Sequence, residues 1–203
     1  MNVNPELMTD TAKRGLVLAS QSPRRSELLK AAGFERFEIC VPEVDEAHDE
    51  KLSPEGLTLF NARLKALTVA VRWPEAVVVA ADTLVYVDGI PLAKPVDMAE
   101  ARGMLERLSG RAHQVCTGVV LAWEGGQKEE AFAVVTEVVF KPLDAASISA
   151  YHVVCDPLDK AGGYGIQDGT DLILERISGS FSNVMGLPME ELGPRLRRLL
   201  RGT

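Results

Sequence analysis

The sequence lacks most of the patterns that would give a quick answer. It has three cysteines in 203 residues, Cys40, Cys116 and Cys155. They are widely spaced, odd in number and form no CxxC, so neither a disulfide framework nor a zinc knuckle is supported. Buried or inert thiols in a reducing, cytoplasmic setting are the expectation. The three histidines, His48, His113 and His152, lie far apart without HExxH spacing, and a zinc site is not expected. No apolar run is long enough to span a membrane, and the N-terminus does not read as a signal peptide. Positive charge is also scarce: 22 Lys and Arg against 29 Asp and Glu leave a net charge of −7. That balance argues against binding a nucleic-acid polymer and leaves any anionic ligand to a local cluster of cations. Neither GxxxxGK[ST] nor GxGxxG occurs, which disfavours ordinary P-loop and dinucleotide sites. No internal repeat or low-complexity linker divides the chain.

What is there reads as one folded unit. Hydrophobic residues at 46% and charged ones at 25% are ordinary globular values, and the length supports a real core. Residues 1–14 read as a flexible leader and 15–203 as a single α/β domain with room for two lobes. Leu16–Ala19 has the pattern of a buried strand. Ser22-Pro23 starts a helix that Gly33 ends, and Ser53-Pro54 starts another, with Leu57, Phe60, Leu64, Leu67 and Val71 on one face. "EAVVVAAD" (75–82) reads as a central strand ending in a carboxylate, and 84–87 with 90–93 as a hairpin about Asp88-Gly89. Asp97 and Glu100 fit a capping box on the next helix, which Gly110 closes. Residues 113–123 and 129–140 read as a long antiparallel pair around Gly125-Gly126. A helix over about 147–154, a glycine-rich stretch, a strand at 171–177 and a helix from Pro188 complete a mixed α/β order.

The chemistry begins at "LASQSPRRSELL" (18–29). Two arginines stand at the start of a helix, where the dipole repels cations by about 0.3–1 kcal/mol each. A phosphate at the free backbone N–H groups would reverse that cost, with Ser20 and Ser22 as further donors. On this stretch alone a solvated arginine pair is an equal reading. Asp82, at the end of its strand, is open to several readings: an oxygen ligand for Mg²⁺, a base for water, both of these, or a turn cap through Thr83. In "PEVDEAHDE" (42–50) most acids are expected to be solvated, with one or two available for a metal. Lys65, Lys94 and Lys160 sit near special backbone, and Gln167 has the donor and acceptor needed to read a nucleobase edge. Singly these are surface residues. Together they describe a pocket for a nucleotide polyphosphate.

"LASQSPRRSELL", "VDE", "ARLKA", "AADTLV", "AKPVD", "LSGRAHQVCTGV", "DKAGGYGIQ" and "GSFSNVMGLP" resemble, in order, the motifs of the Maf family of nucleoside triphosphate pyrophosphatases. The resemblance runs from Leu16 to Pro188. It implies an elongated mixed sheet flanked by helices, with a cleft between two lobes as in inosine triphosphate pyrophosphatases. It also implies hydrolysis to a monophosphate and pyrophosphate with Mg²⁺ or another divalent cation such as Mn²⁺, and a homodimer. By motif, Ser20, Arg24, Arg25, Lys65, Lys94 and Gln167 are the expected substrate-binding residues. Glu46 and Asp82 are the expected metal carboxylates, with Asp82 the proton acceptor. Arg24, Thr83 and Gln167 at three selectivity positions resemble the branch that prefers dTTP and UTP. Ala93 replaces the usual Gly before Lys94, and Asp168 the usual Gly after Gln167. Nucleotide pool cleaning and cell-division arrest are the implied roles. The alternatives are a pyrophosphatase for modified purine or 7-methyl-GTP nucleotides, and a nucleotide-sensing regulator of septum formation with little turnover.

Overall fold

The computed structural model describes residues 14–48 and 51–201. The expected leader, Arg14 apart, and the last two acids of the 42–50 run lie outside the described residues. The strands are β1 (Gly15–Ala19), β2 (Glu38–Ile39), β3 (Ala76–Val87), β4 (Ile90–Leu92), β5 (Ala112–Trp123), β6 (Lys128–Phe140) and β7 (Leu174–Ser178). The helices are α1 (Pro23–Ala31), α2 (Pro54–Ala70), α3 (Met98–Leu108), α4 (Ala145–Val154), α5 (Thr170–Ile173), α6 (Phe181–Val184) and α7 (Met189–Leu200).

The strands form one mixed sheet in the order β2-β1-β3-β5-β6-β7, with β4 paired to β3. β2 and β3 flank β1 in parallel, and the other pairings are antiparallel. This is the expected α/β class, a mixed sheet flanked by helices. Among the described residues no helix is long and apolar enough to cross a membrane.

β3 organises the molecule. Its first half alternates between two cores, as successive side chains of a strand must. Val77, Val79 and Ala81 face Leu29 of α1 and Leu192, Leu196 and Leu199 of α7. Val78 and Ala80 face Ala62, Ala66 and Val69 of α2. Its second half, Val85 and Val87, belongs to a third core with α3, α4, Phe140 and Tyr164. The cores change over at Asp82 and Thr83, which pair in register with Gly118 and Thr117 of β5. Two lobes thus share one sheet, and the polar residues lie at their junction.

Several local expectations are modified. The 75–82 and 84–87 strands are one continuous β3, because a paired partner on β5 carries the ladder straight through the polar residues. The strand expected at 171–177 begins only at Leu174; Thr170–Ile173 is a helical turn whose Thr170 hydroxyl bonds to the Ile166 carbonyl at 2.5 Å. The expected face of α2 is kept only in part: Leu57 is buried and Leu67 packs against a core, but Phe60 is 49% exposed and Val71 67%, while Thr58, Asn61, Ala62, Lys65, Ala66 and Val69 are buried. Gly118 explains the difference. A Cβ there would stand 2.5 Å from the backbone of Thr58 and Leu59, so the helix lies directly on the strand through its small and polar side.

The caps mostly follow the expected signals. Asp88 and Gly89 both take positive φ, 54° and 75°, the geometry of a two-residue hairpin turn. Asp97 accepts from the Glu100 amide at 2.8 Å. The return bond of Glu100 goes to the amide of Val96, one residue before the cap, at 2.7 Å.

Candidate active site

β1, β3 and the α1 N-terminus meet at the lobe junction beside a cavity of about 680 Å³. All nine residues expected from sequence line it: Ser20, Arg24, Arg25, Glu46, Lys65, Asp82, Thr83, Lys94 and Gln167. Asp168 does not, although it follows Gln167 directly. Ala93 lines the cavity, and its carbonyl accepts from the Gly162 amide at 3.0 Å.

The α1 end is left open toward the cavity. Ser22 caps the helix by position, but its side chain makes no capping hydrogen bond, and no acid occupies the first turn. The first-turn amides after Pro23 are therefore left for an external acceptor. Arg24 reaches across the mouth to Asp159 at 2.8 Å. Arg25 turns inward, donating from Nε to the Gly186 carbonyl at 2.8 Å, from one Nη to Ser20 at 3.2 Å and from the other to Thr83 at 3.1 Å. Three of its five N–H donors are thus used, and two remain. Burial lowers the Arg25 pKa, opposed by the charge of Asp82; guanidinium is charged throughout the accessible range. Gly186 has φ +104°, and a Cβ there would meet Thr83 Oγ1 at 3.3 Å and Arg25 Nε at 3.4 Å. A glycine is what allows the 185–187 turn to close on Arg25.

The carboxylates stand on the opposite wall around one ammonium. Lys65 Nζ lies 2.7 Å from Asp82 Oδ1 and 2.9 Å from Glu46 Oε1. Lys65 is only 7% exposed and Asp82 only 4%. Burial raises the Glu46 pKa, but the hydrogen bond and charge of Lys65, with the charges of Lys94 and Arg25, outweigh it and leave the carboxyl below its ordinary value. Asn61, one helical turn before Lys65, locks the arrangement. Its Oδ1 accepts from the Ala47 amide at 2.8 Å, and its Nδ2 donates to the Ala47 carbonyl at 3.1 Å and to Asp82 Oδ2 at 3.4 Å. The loop carrying Glu46 is thereby tied to α2 and to β3.

Sequence reasoning missed Asn61, although its spacing from Lys65 puts both on one helical face. It also missed Asp159, His48, Tyr164 and Met185, which line the cavity as well. Asp159 is hydrogen-bonded by both Arg24 and Lys160, the latter at 2.6 Å. Burial raises its pKa, and those two donors more than reverse the effect. Lys160 also donates to the Asp156 carbonyl at 2.6 Å. Its stem crosses Gly165, where a Cβ would stand 2.7 Å from Lys160 Cε. The three cysteines are free thiols, Cys116 and Cys155 buried and Cys40 half-buried.

Comparison with known proteins agrees with the motifs. The family described as Maf-like protein matches residues 15–199. A dTTP/UTP pyrophosphatase of Symbiobacterium thermophilum is 49% identical over 86% of this chain and 88% of its own. Another, of Carboxydothermus hydrogenoformans, is 47% identical over 90% of this chain and 97% of its own. Among solved structures, a HAM1 protein from Coxiella burnetii is similar at TM-score 0.45 and 20% identity, over 63% of this chain and 73% of that one. With the family pattern matched across nearly all of its length, the chain belongs to the Maf-like protein family.

Proposed function

We propose that the chain hydrolyses dTTP and UTP to the nucleoside monophosphate and pyrophosphate. The observation that carries this reading is the meeting of two opposed sets in one cavity. A helix N-terminus with Arg24 and Arg25 forms one wall, and Asp82 and Glu46 share the Lys65 ammonium on another. The names of the relatives supply the substrate class.

The donor set fits a hard divalent cation such as Mg²⁺ or Mn²⁺. Two carboxylates reach the same point in space, the Lys65 ammonium. Among the described residues no group of three or more His, Cys, Asp or Glu side chains gathers to hold a metal alone. A few carboxylates completed by waters and phosphate oxygens is the manner in which Mg²⁺ is held. Glu46 and Asp82 would hold it, and when bound it would neutralise phosphate charge and polarise water.

The chain's own groups do the rest. Arg24, Arg25, Lys94 and the α1 amides hold the triphosphate with its α-phosphorus toward Asp82. Asp82 takes a proton from water as the oxygen attacks that phosphorus and the bond to the β-phosphate oxygen breaks. Lys65 and the arginines stabilise charge as it moves onto the leaving pyrophosphate. Chromatography of a UTP and Mg²⁺ incubation tests the reading: UMP and pyrophosphate are expected, and UDP with orthophosphate would refute it. A panel of UTP, dTTP, ITP and 7-methyl-GTP tests the base preference.

A further inference from the structure

A single file of hydrogen bonds runs from the cavity wall into the core. Arg25 meets Thr83 Oγ1 at 3.1 Å, Thr83 Oγ1 meets Thr117 Oγ1 at 3.0 Å, and Thr117 Oγ1 meets the Asn183 carbonyl at 3.1 Å. Thr83 lines the cavity, whereas Thr117 is fully buried behind it. The far end is fixed. Asn183 is fully buried, its side chain donates to the Val115 carbonyl and to Thr136, each at 3.0 Å, and its carbonyl also accepts from the Gly186 amide.

The two ends dictate the direction of every proton between them. A guanidinium only donates and a carbonyl only accepts. Thr117 has one hydroxyl proton, and it goes to Asn183, because otherwise two acceptors would face each other in a buried place. Thr83 must therefore donate its own proton to Thr117. One Thr83 lone pair accepts from Arg25. What Thr83 has left for a ligand is one lone pair and no proton.

We propose that Thr117, from behind the wall, fixes Thr83 as an obligate acceptor, so that a nucleotide in the cavity must present a hydrogen-bond donor there. The inference rests on the proposed function for the class of ligand. In a uracil or thymine nucleotide two groups answer that description, the N3–H imide of the base and a sugar hydroxyl. Thr117 acts only through Thr83 and is a positioning residue for selectivity.

Calorimetric binding of UMP, N3-methyl-UMP and 2′,3′-dideoxy-UMP tests this without turnover, since none carries a pyrophosphate to lose. The intact chain is expected to bind UMP about tenfold or more tightly than one of the analogues, as befits an unmatched polar group; the analogue that loses identifies the donor. Thr117→Val frees the Thr83 proton to turn into the cavity and should shrink that gap to about threefold or less, while Thr117→Ser, which keeps the hydroxyl, preserves it. If Thr117→Val does not fold, Thr83→Val, at the cavity wall, removes the acceptor itself and should close the same gap. Equal binding of all three nucleotides by the intact chain, or a gap that survives both valine variants, would overturn the proposal. A gap that behaves as expected in a chain releasing no pyrophosphate from UTP overturns the proposed reaction and upholds this inference. Failure to bind any of the three nucleotides overturns it.

Discussion

Asp82 Oδ1 and Lys65 Nζ are 2.7 Å apart at the floor of the cavity, both nearly sealed from solvent. Each is the other's principal charge partner, with Glu46 a second carboxylate for the lysine. Asp82→Asn keeps the shape and removes the charge and, with it, the proposed proton acceptor. Turnover of UTP should fall by about 10²–10⁴-fold. Stability should fall by about 2–4 kcal/mol, short of the most severe buried-pair losses because Glu46 still faces the lysine. Product chromatography and urea unfolding on the same preparation read both. A variant with full turnover would remove Asp82 from the proton-accepting role.

Asn61 joins three partners: both backbone groups of Ala47 and one oxygen of Asp82. Asn61→Ala should release the Glu46 loop and let the two carboxylates drift apart. The Mg²⁺ concentration for half-maximal activity should rise by about 10–100-fold, the usual effect of losing a group that orients a ligand. KM for UTP at saturating Mg²⁺ should change far less, because Arg24 and Arg25 on the other wall are untouched. Hydrogen exchange of the Ala47 amide supplies a readout apart from activity, with faster exchange expected. Unchanged metal dependence with only a lower Tm would make Asn61 a purely structural residue.

The motif residues were legible because each has a local signature: an arginine pair at a helix start, an acid closing an apolar strand, an amide in a glycine loop. Their convergence was not, since it depends on β3 running unbroken past Asp82 and on α2 lying flat against β5. The amphipathic pattern of α2 placed Leu57 and Leu67 inward as found, but it gave Phe60 and Leu64 more weight than the smaller Ala62 and Ala66 that carry the contact. Close approach to a strand glycine rewards small residues, and a hydrophobicity pattern does not encode distance. Asn61 was hidden for the same reason, as a polar residue on a face that looked outward. Asp159 was hidden because its meaning lies in Arg24, 135 positions earlier.

His113 gives the fold a pH dependence of defined sign. It is buried, with Nε2 2.8 Å from the Tyr164 hydroxyl and its ring edge-on to Phe140 and Tyr164. Burial pushes its pKa from 6.5 down to about 4, against a smaller raising effect from a backbone hydrogen bond at Arg111. Between those values the unfolded chain binds a proton that the native state refuses. The stabilisation is complete above pH 6.5 and is lost as pH falls toward 4. Between pH 7.5 and 5 this one group should remove about 2 kcal/mol. Urea midpoints for the intact chain and His113→Gln should converge as pH falls. Parallel profiles would show that His113 is not the source.

Gly118 stands beneath α2 with no room for a methyl group: a Cβ would be 2.5 Å from Thr58 C and Leu59 N and 2.7 Å from the Thr58 carbonyl oxygen. All three are backbone atoms, so no side chain can swing aside. Gly118→Ala must push α2 off the sheet, costing about 1–3 kcal/mol as overpacked cores do. The same helix carries Asn61 and Lys65, and Gly118 pairs with Asp82 across the sheet. A shift that relieves the clash therefore moves the lysine away from the carboxylate. Turnover should fall by about 10²-fold or more even where the variant is fully folded, since catalytic geometry tolerates little displacement. Activity measured well below the unfolding midpoint separates the two effects. A folded Gly118→Ala chain with normal turnover would mean that the active site does not depend on how closely α2 lies on β5.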